Sequence, residues 1–201
     1  MSEVYISIDI EADGPIPGEN SMLSLGAASF ILDPSTEKGY RQLAGFGINL
    51  QPLPEATPNP ETIAWWHTQP EAYKAATENA VPASQAMQSF REWLAKQPPR
   101  PVLVGYPVTY DFMWVYWYYV KFVGFPTPFG FQGMDIKTLA LACRGGDFRD
   151  SVKKVYPRRW FKDSPRHSHK AVDDAIGQGI LCMNILKDLA EMRLPPDRTG
   201  L

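Results

Sequence analysis

The stretch that decides the fold is VYISIDIE, residues 4–11. Apolar side chains occupy every second position of this stretch, and this alternation is typical of a β-strand. The stretch ends with Asp9 and Glu11, which are two positions apart and therefore point to the same side of a strand. We expect a strand that presents two carboxylates on one face, near the end of a sheet.

Two further strands are expected next, because turn-forming residues separate the following apolar runs. Residues 12–20 contain two glycines and two prolines, and residues 33–36 contain an Asp-Pro turn. The runs 22–32 and 39–50 therefore predict a second and a third strand. Three sequential strands joined by short loops predict an antiparallel meander.

The rest of the chain predicts helices and one more strand. Residues 102–105 form a short apolar run that predicts a buried strand. Prolines at helix starts and apolar residues at helical spacing predict the helices. These helices span residues 62–68, 71–79, 81–96, 109–123, 134–143, 148–156 and 171–192. The order predicts an α/β fold with a mixed central sheet flanked by helices, and residues 1–201 as one domain.

The composition is that of an ordinary globular protein, with 44% hydrophobic and 21% charged residues in 201. No run approaches the roughly 18 apolar residues of a membrane span, and residues 1–4 lack signal-peptide features. We therefore expect a cytoplasmic protein with no membrane partner. Cys143 and Cys182 are expected as buried free thiols. The net charge of −2 argues against a tight non-specific DNA binder, although residues 144–170 hold nine Lys or Arg against three Asp.

More acidic residues lie where predicted helices begin. Asp111 opens the helix after strand 102–105, and Asp173 and Asp174 lie in the first turn of the last helix, just after His169. Carboxylates gathered at a sheet end repel one another unless a cation neutralises them, and oxygen ligands suit Mg²⁺ or Mn²⁺. Helical spacing does not decide between Asp173 and Asp174. Each residue alone fits a solvated turn, cap or loop, whereas the combination favours a two-metal site with His169 as proton acceptor.

The acidic positions resemble the three motifs of the DEDDh family of 3′–5′ exonucleases. The matching segments are Ile8-Asp9-Ile10-Glu11, Tyr110-Asp111 and His169-x-Ala-x-x-Asp174-Ala175. This resemblance covers most of the chain and implies a ribonuclease H-like fold. It also implies hydrolysis of RNA or DNA, as single strands or 3′ overhangs, to nucleoside 5′-monophosphates, with two divalent ions, Mg²⁺ or Mn²⁺.

The same resemblance implies a role for each site residue. Asp9 is expected to bridge both ions. Glu11 and Asp174 are expected to hold the ion that orients the attacking water, which makes Glu11 a catalytic as well as a metal-binding residue. Asp111 is expected to help hold the second ion, and His169 to act as general base. The third motif thereby selects Asp174 over Asp173 as the fourth ligand.

A narrower resemblance, to a phage exonuclease A-type branch, is carried by TIAWW at 62–66 and QPEA at 69–72. In the family this region lies near the terminal nucleotide, so we expect one of Trp65 and Trp66 to stack on a base, with Trp66 as the candidate. The alternative is that both rings are core residues. Arg166 and Lys170 are expected to contact phosphates, the alternative being a solvated loop.

Two other functions stay open at this point. A catalytically silent nucleic-acid-binding module could share the fold, and a structure-specific endonuclease would cut internally. The sequence does not separate RNA from DNA, because residues that would contact a 2′-hydroxyl cannot be identified from it. A homodimer is expected only by analogy with dimeric relatives.

Overall fold

A five-stranded mixed sheet lies at the centre of the computed structural model, which describes residues 3–165 and 169–192. Its strands are β1 (Val4–Ala12), β2 (Met22–Leu32), β3 (Tyr40–Asn49), β4 (Pro101–Gly105) and β5 (Gly133–Asp135). The first three strands pair antiparallel, whereas β4 pairs parallel with β1 and β5 pairs parallel with β4. The order β3-β2-β1-β4-β5 confirms the predicted meander joined to parallel strands.

Helices cover both faces of this sheet. In the described part of the chain they are α1 (Pro60–His67), α2 (Pro70–Thr77), α3 (Ala83–Ala95), α4 (Val108–Phe122), α5 (Ile136–Arg144) and α6 (Ala171–Met192). Helices α3 and α4 pack on Ile6 and Ile8 of β1, whereas α5 and α6 pack on Tyr5 and Phe30. Since side chains alternate along β1, Asp9 shares the face of Tyr5 and points toward α6.

Two glycines let α6 lie very close to the sheet. A Cβ atom on Gly26 of β2 would overlap the backbone of Ala171, and one on Gly179 of α6 would overlap the Phe30 ring. Gly26 is also the cross-strand partner of Asp9. The first turn of α6 therefore lies directly beside the end of β1.

The predicted helix 148–156 is wrong. Only a 3₁₀ turn, Lys153–Val155, lies within it, and a second 3₁₀ turn, Arg158–Phe161, follows. The Tyr156 hydroxyl donates a hydrogen bond to the Ser151 carbonyl at 3.2 Å. The Val155 and Tyr156 amides donate to carbonyls three residues back, those of Val152 and Lys153, and this is the hydrogen-bond pattern of a 3₁₀ turn and not of an α-helix.

Strand β5 is an element that the sequence pattern did not predict, because three residues are too few to show an alternation. Its last residue, Asp135, caps α5 by accepting a hydrogen bond from the Thr138 amide at 2.7 Å. Its other carboxylate oxygen accepts from the Val108 amide at 3.1 Å, which joins the start of α5 to the start of α4.

Within residues 3–165 and 169–192, no helix is both long and apolar enough to cross a membrane.

Candidate active site

The carboxyl ends of β1 and β4 meet at one edge of the sheet, because these strands run parallel with Ser7 opposite Val104. Asp9 lies just beyond that pair on β1, and Asp111 lies in the first turn of α4, the helix that follows β4. The Ile10 amide donates a hydrogen bond to Asp111 Oδ1 at 3.3 Å. The first two acidic segments therefore lie side by side at the carboxyl ends of these strands. This is the position where ligands bind in sheets with parallel strands.

Helix α6 and the short segment just before it supply the third acidic segment. Ligand atoms of Glu11, His169 and Asp174 all lie within 4.8 Å of one another, a spacing that could hold a metal ion. Asp174 is buried, whereas Glu11 and His169 are half-buried. Asp174 belongs to this group, and its role as the fourth metal ligand stays a prediction.

Burial and mutual repulsion disfavour the ionised form of these carboxylates. Desolvation, followed by the charges of Asp111 and Asp174, raises the pKa of Asp9 well above its usual range. Desolvation, followed by the charges of Asp9 and Asp174, raises the pKa of Glu11 to about 8. Burial also raises the pKa of Asp111. Carboxylates with raised pKa values form an all-oxygen donor set, and this set suits a hard divalent cation that would offset their repulsion.

Gln178 belongs to the site and was missed by sequence reasoning. Its amide nitrogen Nε2 donates a hydrogen bond to Asp9 Oδ1 at 2.6 Å. Gln178 lies four residues after Asp174 on α6, and residues with this spacing share one face of a helix. That spacing was a signal that could have found Gln178 once Asp174 had been assigned.

Sequence reasoning also did not identify Lys153 as a residue of the site, although it lies in the basic tract 144–170. Its ammonium nitrogen is 4.6 Å from the centroid of the Tyr106 ring. Burial lowers the pKa of Lys153, and the negative charges of Asp9 and Asp174 oppose this shift. Because Lys153 lies on a 3₁₀ turn, no helix or strand periodicity could have placed it beside the carboxylates.

The two adjacent tryptophans of α1 have different environments. Trp66 is 1% exposed, packs in a core cluster with Leu23, and donates a hydrogen bond from Nε1 to the Ala12 carbonyl at 3.0 Å. A base-stacking role for Trp66 is therefore wrong in this structure. Trp65 is 44% exposed, and its ring centroid is 5.8 Å from that of His169. Adjacent helical residues point about 100° apart, so only Trp65 faces the site.

Of the two basic residues predicted to contact phosphate, only Lys170 is among the residues that the structure describes. Lys170 is exposed, follows His169 directly and lines a cleft of about 380 Å³ together with Asn49 and Asn79. Arg166 lies outside the described residues. Contact of Lys170 or Arg166 with phosphate stays a prediction.

Sequence comparison identifies related proteins along nearly the whole chain. Residues 4–186 match the family model of the 3′-5′ exoribonuclease Rv2179c-like domain. The chain is also 28% identical over 198 residues to the 3′-5′ DNA exonuclease Cap18 of Escherichia coli, and the alignment covers 95% of each protein.

Solved structures with similar folds include the nuclease domain of 3′hExo, a DEDDh family member bound to rAMP. It has a TM-score of 0.67 at 12% identity, and the match covers 96% of both chains. The E. coli ExoI–ssDNA complex has a TM-score of 0.61 at 12% identity, with 98% of this chain but only 42% of that one covered. These structures confirm the ribonuclease H-like α/β fold. The chain belongs to the family of 3′-5′ exoribonuclease Rv2179c-like domains and is a 3′–5′ exonuclease.

Proposed function

We propose that the protein is a metal-dependent 3′–5′ exonuclease that releases nucleoside 5′-monophosphates from single-stranded nucleic acid or 3′ overhangs. One observation carries this proposal: three separate segments of the chain bring four carboxylates and a histidine to one edge of the sheet. These residues are Asp9, Glu11, Asp111, Asp174 and His169. Such a constellation is what metal-assisted hydrolysis of a phosphodiester requires.

The donor set fits divalent metal ions. Asp9, Glu11, Asp111 and Asp174 offer carboxylate oxygens, the ligands that Mg²⁺ and Mn²⁺ prefer, and two ions are the number that four carboxylates can hold. When bound, two such ions neutralise the carboxylates and polarise the scissile phosphate. The raised pKa values of Asp9 and Glu11 support this assignment, because a nearby cation would offset the repulsion between these carboxylates.

The protein side chains supply the proton transfer. His169 lies within 4.8 Å of both Glu11 and Asp174, so it can accept a proton from a water molecule that Glu11 orients. That water attacks the phosphorus atom, and the bond from phosphorus to the 3′-oxygen of the preceding nucleotide breaks. The released product then carries its phosphate on the 5′ carbon.

Trp65 is the residue best placed to hold the terminal base. Its exposed ring is close to His169, so a base stacked on it would lie next to the proposed general base. Aromatic stacking accepts every base, which suits an exonuclease that advances along any sequence. Lys170, the next residue after His169, would contact the phosphate backbone.

Digestion of end-labelled RNA and DNA oligonucleotides of one sequence, with Mn²⁺, tests the proposal. We expect products that shorten stepwise from the 3′ end, and no products from Asp9→Asn. Internal fragments would indicate an endonuclease instead, and binding without digestion would indicate a silent module. Both substrates are needed, because the matched family is described as acting on RNA and the E. coli relative as acting on DNA.

We propose further that residues 1–201 act as one exonuclease domain, since strands and helices from β1 to α6 contribute to the site. A homodimer, a cytoplasmic location and the choice between Mg²⁺ and Mn²⁺ stay predictions. Size-exclusion chromatography with light scattering would measure the oligomeric state directly.

A further inference from the structure

Gln178 is the buried polar residue of the site that the proposed chemistry does not use. It is only 6% exposed and lies one helical turn after Asp174 on α6. Its Nε2 donates a hydrogen bond to Asp9 Oδ1 at 2.6 Å. Asp9 is the residue proposed to bridge both ions, so Gln178 contacts the central ligand of the site.

The orientation of the Gln178 amide follows from hydrogen-bond chemistry. The NH₂ end of the amide faces Asp9 Oδ1, and this direction suits the ionised carboxylate that would hold a cation, because such a carboxylate can only accept hydrogen bonds. The other end, Oε1, is buried and has no hydrogen-bond partner within the described residues. A buried oxygen without a partner is unfavourable, so an apolar residue of similar length would pack better here. The contact with Asp9 is therefore what favours glutamine at this position.

A neutral donor has an advantage over the charged alternatives at this position. A lysine or arginine would neutralise Asp9 and compete with a metal ion, and a glutamate would add a further like charge to the cluster. The amide can hold one carboxylate oxygen while leaving the negative charge of Asp9 available to a cation. Gln178 also lines a cavity of about 160 Å³ together with Lys153 and Asp174.

We infer that Gln178 is a positioning residue that holds the Asp9 carboxylate in one orientation through Oδ1. The carboxylate oxygens of Asp9 that would bind the metal are thereby oriented before a cation binds. This inference rests on the proposed function, because it assigns Asp9 to the metal ions. Hydrogen bonds of this kind to ligating carboxylates orient them, and their loss typically lowers metal affinity or activity by about 10- to 100-fold.

The test is Gln178→Met, which keeps the length of the side chain and removes the donor. We expect the dissociation constant for Mn²⁺, measured by calorimetry without substrate, to rise by about 10- to 100-fold, or kcat to fall by that factor. The KM for the oligonucleotide should change by less than about twofold, because Gln178 is not placed to contact the base or the phosphate backbone. The melting temperature in EDTA should change little, whereas its rise on adding Mn²⁺ should shrink.

Gln88→Met is the matched control. Gln88 also lies on a helix, α3, and its amide donates to the Phe122 carbonyl at 3.2 Å, away from the carboxylates. The Mn²⁺ affinity and the kcat of the Gln88→Met variant should equal those of the unaltered protein. If Gln178→Met does not fold, the same measurements on Gln178→Leu replace it.

Three results would overturn the inference. One is a Gln178→Met protein with unaltered Mn²⁺ affinity and kcat. Another is a lower melting temperature in EDTA with an unaltered rise on adding Mn²⁺, which would mark a structural role. The third is an unaltered protein that neither binds Mn²⁺ nor releases mononucleotides, and this outcome alone would also remove the proposed function.

Discussion

Gly26 controls how closely α6 approaches the sheet, so Gly26→Ala is a direct test of how the site is assembled. A Cβ atom at this position would lie well inside 3.0 Å of the Ala171 carbonyl and the Val172 amide nitrogen. These are backbone atoms, which cannot rotate away as a side chain could. Ordinary van der Waals contact begins near 3.4 Å, so the start of α6 would have to move by roughly 1–1.5 Å.

This displacement reaches the proposed catalytic groups because Ala171 lies between His169 and Asp174 in the chain. Both residues would move away from Asp9 and Glu11, which stay on β1. A misplacement of about 1 Å in a catalytic constellation typically lowers the rate by about 100-fold. We therefore expect the kcat of Gly26→Ala to fall by about 100-fold. Overpacking should lower the free energy of unfolding by about 1–3 kcal/mol.

Two glycines of β3 provide graded controls for the same helix. A Cβ on Gly45 would meet only Val172 Cγ2, at 3.8 Å, which is ordinary contact. A Cβ on Gly47 would meet Val172 Cβ at 3.1 Å, which requires a smaller adjustment than at Gly26. The release of mononucleotides from a single-stranded oligonucleotide should therefore decrease in the order Gly45→Ala, Gly47→Ala, Gly26→Ala. Full activity of Gly26→Ala, or an equal loss in Gly45→Ala, would refute this reasoning.

Three further predictions concern the site residues. His169→Ala should lower kcat by about 100- to 10,000-fold through loss of the proton acceptor, with Mn²⁺ binding retained in calorimetry; an unaltered rate would remove His169 as general base. Trp65→Ala should raise the oligonucleotide KM by roughly 5- to 150-fold through loss of about 1–3 kcal/mol of stacking, whereas Trp66→Ala should lower the free energy of unfolding by about 3–5 kcal/mol. The reverse assignment of these two effects would contradict the packing of α1. In EDTA, the free energy of unfolding should fall as the pH rises from about 5 to 8. The pKa of Glu11 is about 8 in the folded protein, which is above its value in the unfolded chain, so the protonated form of Glu11 stabilises the fold and this contribution is lost as the proton leaves. Millimolar Mn²⁺ should raise the melting temperature most at the upper end of this range, and no shift at pH 8 would argue against the metal site.

Local sequence patterns predicted much of the fold. The alternation in residues 4–11 depends only on which side chains avoid water. It therefore predicted the position of β1 and the side of the strand to which Asp9 points. The turn residues at 12–20 and 33–36 then predicted the antiparallel meander. By contrast, helix 148–156 was predicted wrongly, because the amides of Val155 and Tyr156 bond to carbonyls three residues back and form a 3₁₀ turn. Strand β5 was missed because it exists only through pairing with β4.

The amino-acid sequence by itself predicted which four carboxylates and which histidine form the candidate site, since their spacing resembles family motifs and their positions follow element ends. Burial and contacts across the fold depend on packing between distant segments, so the tertiary structure decided the rest. It placed Trp66 in the core and Trp65 beside His169, because α1 packs one side of its surface on β2. It also brought Gln178 to Asp9, a contact across 169 positions that depends on how closely Gly26 lets α6 approach the sheet.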